Sequence, residues 1–183
     1  MKEEFKIYPS LLIELKMQHI VNEMINNNKT EFNNMISNDY IERFTKEVID
    51  KKFVTFSTEN YDYENILIDW GEDGFFVVSN VPKAYNELYT AIEMYEDLKD
   101  YNPSCRITYE KKALLATEVN AIIYVKFRSS IFDLTMVCLL FVYSLAKMTD
   151  GLISNGGRDY SQNIFLEKIK VLLKDEVKNN VWE

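Results

Sequence analysis

The strongest constraint on this fold is an apolar run of 18 residues, 129–146, held between Arg128 and Lys147 and almost purely apolar over 134–145. A bilayer-spanning helix needs about 20 predominantly apolar residues. This run is at the short limit and contains Asp133, whose charge would cost roughly 2.5 to 3.5 kcal/mol at mid-bilayer and less near an end. The run therefore reads as a buried central helix over about 130–147, apolar on nearly every side and placed between other layers of structure. Ser130 followed three residues later by Asp133 resembles a capping pair at its start. No membrane association is expected. Residues 1–10 carry both charge signs and lead toward Glu14 and Lys16, which a secretory apolar core would not tolerate, so no signal peptide is expected either.

A chain of 183 residues with 47% hydrophobic and 14% aromatic content is long and apolar enough to bury one core. Before the apolar run, Leu11, Leu12, Leu15, Ile20, Met24 and Ile25 approximate a helical stripe. Pro9 and Ser10 stand as its start signals and the asparagines at 26–28 as its end. A second helix is expected over 39–51 from the spacing of Tyr40, Phe44, Val48 and Ile49. Residues 1–51 are thus read as a helical N-terminal layer. From Phe53 the pattern changes to short β-branched and aromatic runs at 53–57, 65–70 and 75–79. The last two are joined by Gly71, Glu72, Asp73 and Gly74, a hairpin turn in which glycine supplies positive φ.

Asn80 and Pro82 are expected to open a helix running to about Lys99, because proline is tolerated in a first turn. Residues 105–109 and 121–127 read as further strands, and 111–118 as either a short helix or a hairpin arm. After the central helix, Asp150 and Gly151 turn the chain into a brief strand at 152–154. A loop with Gly156 and Gly157 follows, and a last amphipathic helix over about 161–178. The expectation is one α+β domain spanning 1–183, with a mixed or antiparallel sheet flanked by helices over 53–183.

The residues that could carry chemistry are few. His19 is the single histidine and reads as an ordinary, partly exposed or packed side chain rather than a catalytic base, and two-histidine metal sites are excluded. Cys105 and Cys138 cannot form a disulfide framework, and Cys138 lies in the apolar run, where a thiol behaves as a small hydrophobe. A reducing, cytoplasmic setting follows. No glycine-rich phosphate cradle exists, and the Asn155-Gly156-Gly157-Arg158-Asp159 loop reads as a surface turn rather than an anion site. Asp69, Glu72 and Asp73 cluster at the hairpin turn but lack the spacing of a calcium loop, so a solvated turn is the better reading. No cofactor is expected.

The charge distribution is more informative. Eleven acids but only two bases, Lys83 and Lys99, fall between Glu59 and Asp100, a net −9 in a chain whose total is −8. The other 141 residues sum to +1, so the acidity is local. On the helix expected after Pro82, Tyr85, Leu88, Ile92 and Tyr95 fall on one side, and Glu93, Glu96, Asp97 and Asp100 together on the other. Tyr61 and Tyr63 interleave with Asp62 and Glu64 in an expected loop. A concentrated negative field repels nucleic acid and steers basic protein surfaces, and tyrosine beside carboxylates suits such an interface. The partner surface is therefore read as Tyr61, Asp62, Tyr63, Glu64, Glu72, Asp73, Glu93, Glu96, Asp97 and Asp100.

Small size, one soluble α+β domain, no catalytic motif, an acidic patch and a lysine-, asparagine- and isoleucine-rich usage typical of low-GC bacterial genes accompany this surface. In that character the chain resembles the stand-alone immunity proteins of bacterial toxin systems. The resemblance implies a basic toxin partner, such as a nuclease, neutralised by covering its nucleic-acid site. A DNA mimic is a related idea, but −8 over 183 residues is modest for duplex charge density. Two other classes remain: a carboxylate or divalent-metal-dependent enzyme or small-ligand protein, and a structural subunit pairing through the face of its apolar helix.

Overall fold

The structure is a computed structural model that describes residues 2–11, 13, 15–51, 66–82, 121–156 and 158–180. The described elements run in chain order as β1 (Lys2–Tyr8), α1 (Met17–Thr30), α2 (Asn38–Val48), β2 (Ile66–Asp69), a 3₁₀ turn (Gly71–Asp73), β3 (Gly74–Pro82), β4 (Ala121–Ser129), α3 (Phe132–Met148), β5 (Leu152–Asn155), β6 (Arg158–Tyr160) and α4 (Gln162–Asn180). The strands form one sheet in the order β2-β3-β4-β1-β5-β6, with every neighbouring pair antiparallel. The α+β class is as expected, and the sheet is antiparallel rather than mixed.

The core follows from the period-two alternation of the strands. Phe5 and Ile7, Ile66 and Ile68, Phe76 and Val78, Ile123, Val125 and Phe127, and Ile153 all point to one face. There they join the buried residues of all four helices in a single cluster. α3 is the axis of that cluster, since Leu134 and every residue from Met136 to Ala146 are buried. A helix apolar on all sides needs neighbours on all sides. α3 has them in α1, α2, α4, β1 and β4. Phe76 sits edge-on to both Phe44 and Phe141, at 5.0 and 5.1 Å between centroids, which locks α2, α3 and β3 together. The apolar face of α3 is thus spent inside the monomer, which overturns the idea of a subunit that pairs through it. No helix among the described residues is long and apolar enough to cross a membrane.

Several local expectations are corrected. Residues 1–51 are not a purely helical layer, because β1 lies inside the sheet between β4 and β5, with Phe5 opposite Val125 and Ile7 opposite Ile153. Pro9 and Ser10 do not start a helix. Ser10 and Leu11 donate their amides to the Thr149 carbonyl at 3.0 and 3.1 Å, and Ser10 Oγ donates to the Asp150 carbonyl at 2.6 Å. These bonds tie the end of β1 to the end of α3. α1 begins at Met17, where His19 Nδ1 accepts the Lys16 amide at 3.2 Å. The only histidine is therefore a capping residue.

The asparagine run does not end α1, which continues to Thr30. Asn27 and Asn28 are buried and fully used. Asn27 Nδ2 donates to Ser144 Oγ at 3.0 Å, and Asn27 Oδ1 accepts from Lys147 Nζ at 2.7 Å. Asn28 Nδ2 donates to the Ile36 carbonyl at 2.9 Å, while its Oδ1 accepts the Ile36 amide at 3.2 Å. These asparagines are tertiary ties between α1, α3 and the following loop.

Asn80 and Pro82 extend β3 rather than opening a helix, with Pro82 paired to Ala121 at the strand's last position, where a missing N–H is tolerated. The residue capping α3 is Ile131, without a side-chain cap bond. Ser130 and Asp133 form no capping pair, because Ser130 Oγ is directed to the Asp73 carbonyl at 3.4 Å. The loop expected after residue 154 is a tight hairpin into a short sixth strand, β6. The strands expected at 53–57 and 105–109, the helix at 83–99 and the segment 111–118 lie outside the described residues.

Candidate functional site

Of the expected partner surface, Glu72 and Asp73 fall among the described residues. Tyr61, Asp62, Tyr63, Glu64, Glu93, Glu96, Asp97 and Asp100 lie outside them. Glu72 and Asp73 occupy the tip of the β2–β3 hairpin, and local bonding makes that tip a firm platform. Asp69 Oδ1 accepts the Gly71 amide at 2.8 Å, an Asx-type turn. Gly71 takes φ 65° and Gly74 φ 130°, conformations open to glycine. The Trp70 amide donates to the Gly74 carbonyl at 2.9 Å, closing the turn. Trp70 anchors it from beneath, its side chain buried in the core.

Two contacts then tie the tip to the body. The Ser130 amide donates to the Asp73 carbonyl at 3.0 Å, and Arg43 Nη2 on α2 lies 3.5 Å from Asp73 Oδ2. Both partners of that ion pair are about two-fifths exposed, at 41% and 39%, so it contributes little to stability and mainly orients the carboxylate. Glu72 is exposed.

These carboxylates do not converge on a cation. Asp69 is bonded to the Gly71 amide and Asp73 faces Arg43. Among the described residues no group of three or more His, Cys, Asp or Glu side chains is placed to hold a metal ion. Cys138 is completely buried, and desolvation pushes its thiol well above the ordinary range. Arg158 is exposed on the first position of β6, opposite Asn155 in the hairpin register.

The sequence reading missed the polarity of the other sheet face. Alternation places Lys2, Glu4 and Lys6 of β1, Tyr124, Lys126 and Arg128 of β4, and Phe75 and Val77 of β3 away from the core. Register sets Lys2 opposite Arg128, which in turn lies opposite Phe75. Glu4 pairs with Lys126 at 3.1 Å, and Lys6 Nζ lies 5.1 Å from the Tyr124 ring centroid. Register also sets Asp69 opposite Phe75, and Asp159 opposite Ser154, which lies opposite Lys6, so among the described residues this face carries four cations and three acids and is mixed in charge. The signal was present in the alternation of Tyr124, Lys126 and Arg128 with Ile123, Val125 and Phe127. It becomes a surface only when β4 is set beside β1, which lies over 100 residues earlier in the chain.

No family model, no curated protein and no solved structure matches this chain.

Proposed function

We propose that this protein is a binding protein that engages and blocks a basic protein partner through an acidic surface. On this reading it acts in the cytoplasm as an immunity-type inhibitor of a toxin domain such as a nuclease. The observation that carries the reading is the concentration of eleven acids and two bases in 59–100. The hairpin tip lends support, since it holds Glu72 and Asp73 at the surface on a bonded turn. A turn whose backbone is bonded in this way needs little ordering on binding, and the field of the acidic stretch raises the encounter rate with a cationic surface. Among the described residues no group of three or more His, Cys, Asp or Glu side chains is placed to hold a metal ion, so the metal-dependent alternative draws no support from them.

The test is affinity capture with the tagged protein at low and high salt, beside a variant carrying Glu72→Lys, Asp97→Lys and Asp100→Lys. Glu72 is exposed, and a charge reversal there contributes little to folding; the melting of the triple variant beside the wild type checks that it folds. One basic protein retained by the wild type, released by salt and lost by the variant is the expected result. The same protein held equally by the folded variant would overturn the acidic surface as the interface.

A further inference from the structure

A pocket of about 390 Å³ opens where the start of α3 and the middle of α4 lean away from the sheet. That volume lies in the range of small-ligand sites. At roughly 30 Å³ per water-sized group it holds about a dozen non-hydrogen atoms. Its floor is Phe5, Met136 and Leu139, all core residues, while Ile131, Phe132 and Leu172 line it and are only partly buried. Large apolar side chains left half-open around a concave space are what an apolar body would cover.

The polar groups on the wall are unequal. Lys168 is turned toward β6, with Nζ 4.8 Å from the Tyr160 ring centroid and 3.3 Å from its hydroxyl. Glu3 reaches the pocket from β1. One of its oxygens accepts the Asn155 side-chain amide at 2.7 Å, and no lysine or arginine among the described residues pairs with it. Thr135 Oγ1 donates to the Ile131 carbonyl, leaving its lone pairs as acceptors. Among the described residues that line the pocket, Glu3 is the one carboxylate and Lys168 the one cation. The hairpin tip with Glu72 and Asp73 is bonded directly to Ser130 on the rim.

We infer that this pocket is a binding site for a small hydrophobic amine, with the apolar body against Phe5, Met136 and Leu139 and the ammonium donated to Glu3. The rim meets the hairpin tip at Ser130, but the site uses neither Glu72 nor Asp73 and does not depend on the partner surface proposed above. Three probes with the same ring and different heads test it: phenethylamine, hydrocinnamate and phenethyl alcohol, each titrated against the full chain and followed by amide NMR shifts. Phenethylamine should give saturable shifts clustered at Glu3, Ile131, Thr135 and Leu172, and should bind more tightly than the other two. Glu3→Gln keeps the bond to Asn155 but removes the charge, and should weaken phenethylamine by about tenfold, the worth of one charge-assisted hydrogen bond. Leu172→Trp, which fills the mouth, should abolish binding of all three. Its fold is checked by melting, and Glu3→Gln carries the test if the larger residue is not accommodated. Hydrocinnamate binding as tightly as the amine, undiminished amine binding in Glu3→Gln, or no saturable shift with any probe would overturn the inference.

Discussion

Replacing Asn27 by alanine tests the packing of α1 on α3 more directly than any other single change. The side chain is fully buried and makes two bonds across the interface. The bond to Ser144 Oγ is neutral and worth about 1 kcal/mol, and the bond from Lys147 is charge-assisted and worth about 1.5 to 3 kcal/mol. Lys147 keeps Glu23 at 3.3 Å and Glu31 at 3.7 Å, so its charge is not stranded and the lower part of that range applies. The expected loss is about 3 kcal/mol, a fall in Tm of roughly 6 to 12 °C for a domain of this size. Ser144→Ala alone strands the Asn27 amide donor in the core at a cost of about 1 to 2 kcal/mol. Because the double variant removes both ends of that bond, it should cost about 1 kcal/mol less than the sum of the singles. Urea denaturation with unchanged m-values reads all four corners of the cycle. Asn26→Ala is the control, because Asn26 is exposed on the same helix, and it should change stability by no more than about 0.5 kcal/mol. Equal effects at Asn26 and Asn27, or strict additivity of Asn27 and Ser144, would refute the reasoning.

Three further outcomes follow from the geometry. Gly74→Ala places a Cβ 1.8 Å from the Arg128 carbonyl oxygen, so it should destabilise by roughly 3 kcal/mol or more and release the hairpin tip. Gly71→Ala meets no atom within 4 Å and should cost only about 1 kcal/mol for its positive φ; similar losses for the two in chemical denaturation would be inconsistent with this turn. Tyr143 is held up to about 12, first by burial and then by Glu31 and Glu23. The unfolded chain ionises this phenol near 10, so the stabilisation is complete below that pH and is lost as pH rises toward 12, by about 2 to 3 kcal/mol. Tyr143→Phe should flatten the alkaline limb of the stability curve measured by denaturation. In a Cys105→Ser variant the remaining Cys138 thiol should ignore a thiol reagent in the native protein and react at once in denaturant, whereas native labelling on the mixing timescale would place it outside the core.

Much of the fold was legible along the chain. The apolar run at 134–145 reads as a helix enclosed on all sides, and it is one. The glycines at 71 and 74 flank a hairpin tip because both take positive φ, and the value of 130° at Gly74 is one that side chains rarely adopt. α2, α3 and α4 fall within a few residues of their expected bounds, since periodic apolar spacing is a local property. Of the proposed partner surface, the excess of charge was legible from counting, and Glu72 and Asp73 at the hairpin tip from turn chemistry.

What the tertiary structure alone decided lies in the non-local contacts. Residues 2–8 carry four charges among seven positions and offer only Phe5 and Ile7 to a core. Their identity as a strand inside the sheet comes from pairing with β4 and β5, over 100 residues away. The asparagines at 27 and 28 favour a helix end by their own chemistry, yet Ser144, Lys147 and Ile36 supply the partners that keep them buried. The same holds for the charged outer sheet face and for the pocket beside Glu3, each assembled from segments far apart in sequence. Periodicity and turn preference are written in neighbouring residues. Which polar groups find buried partners, and which charges share a face, are settled only when distant segments meet.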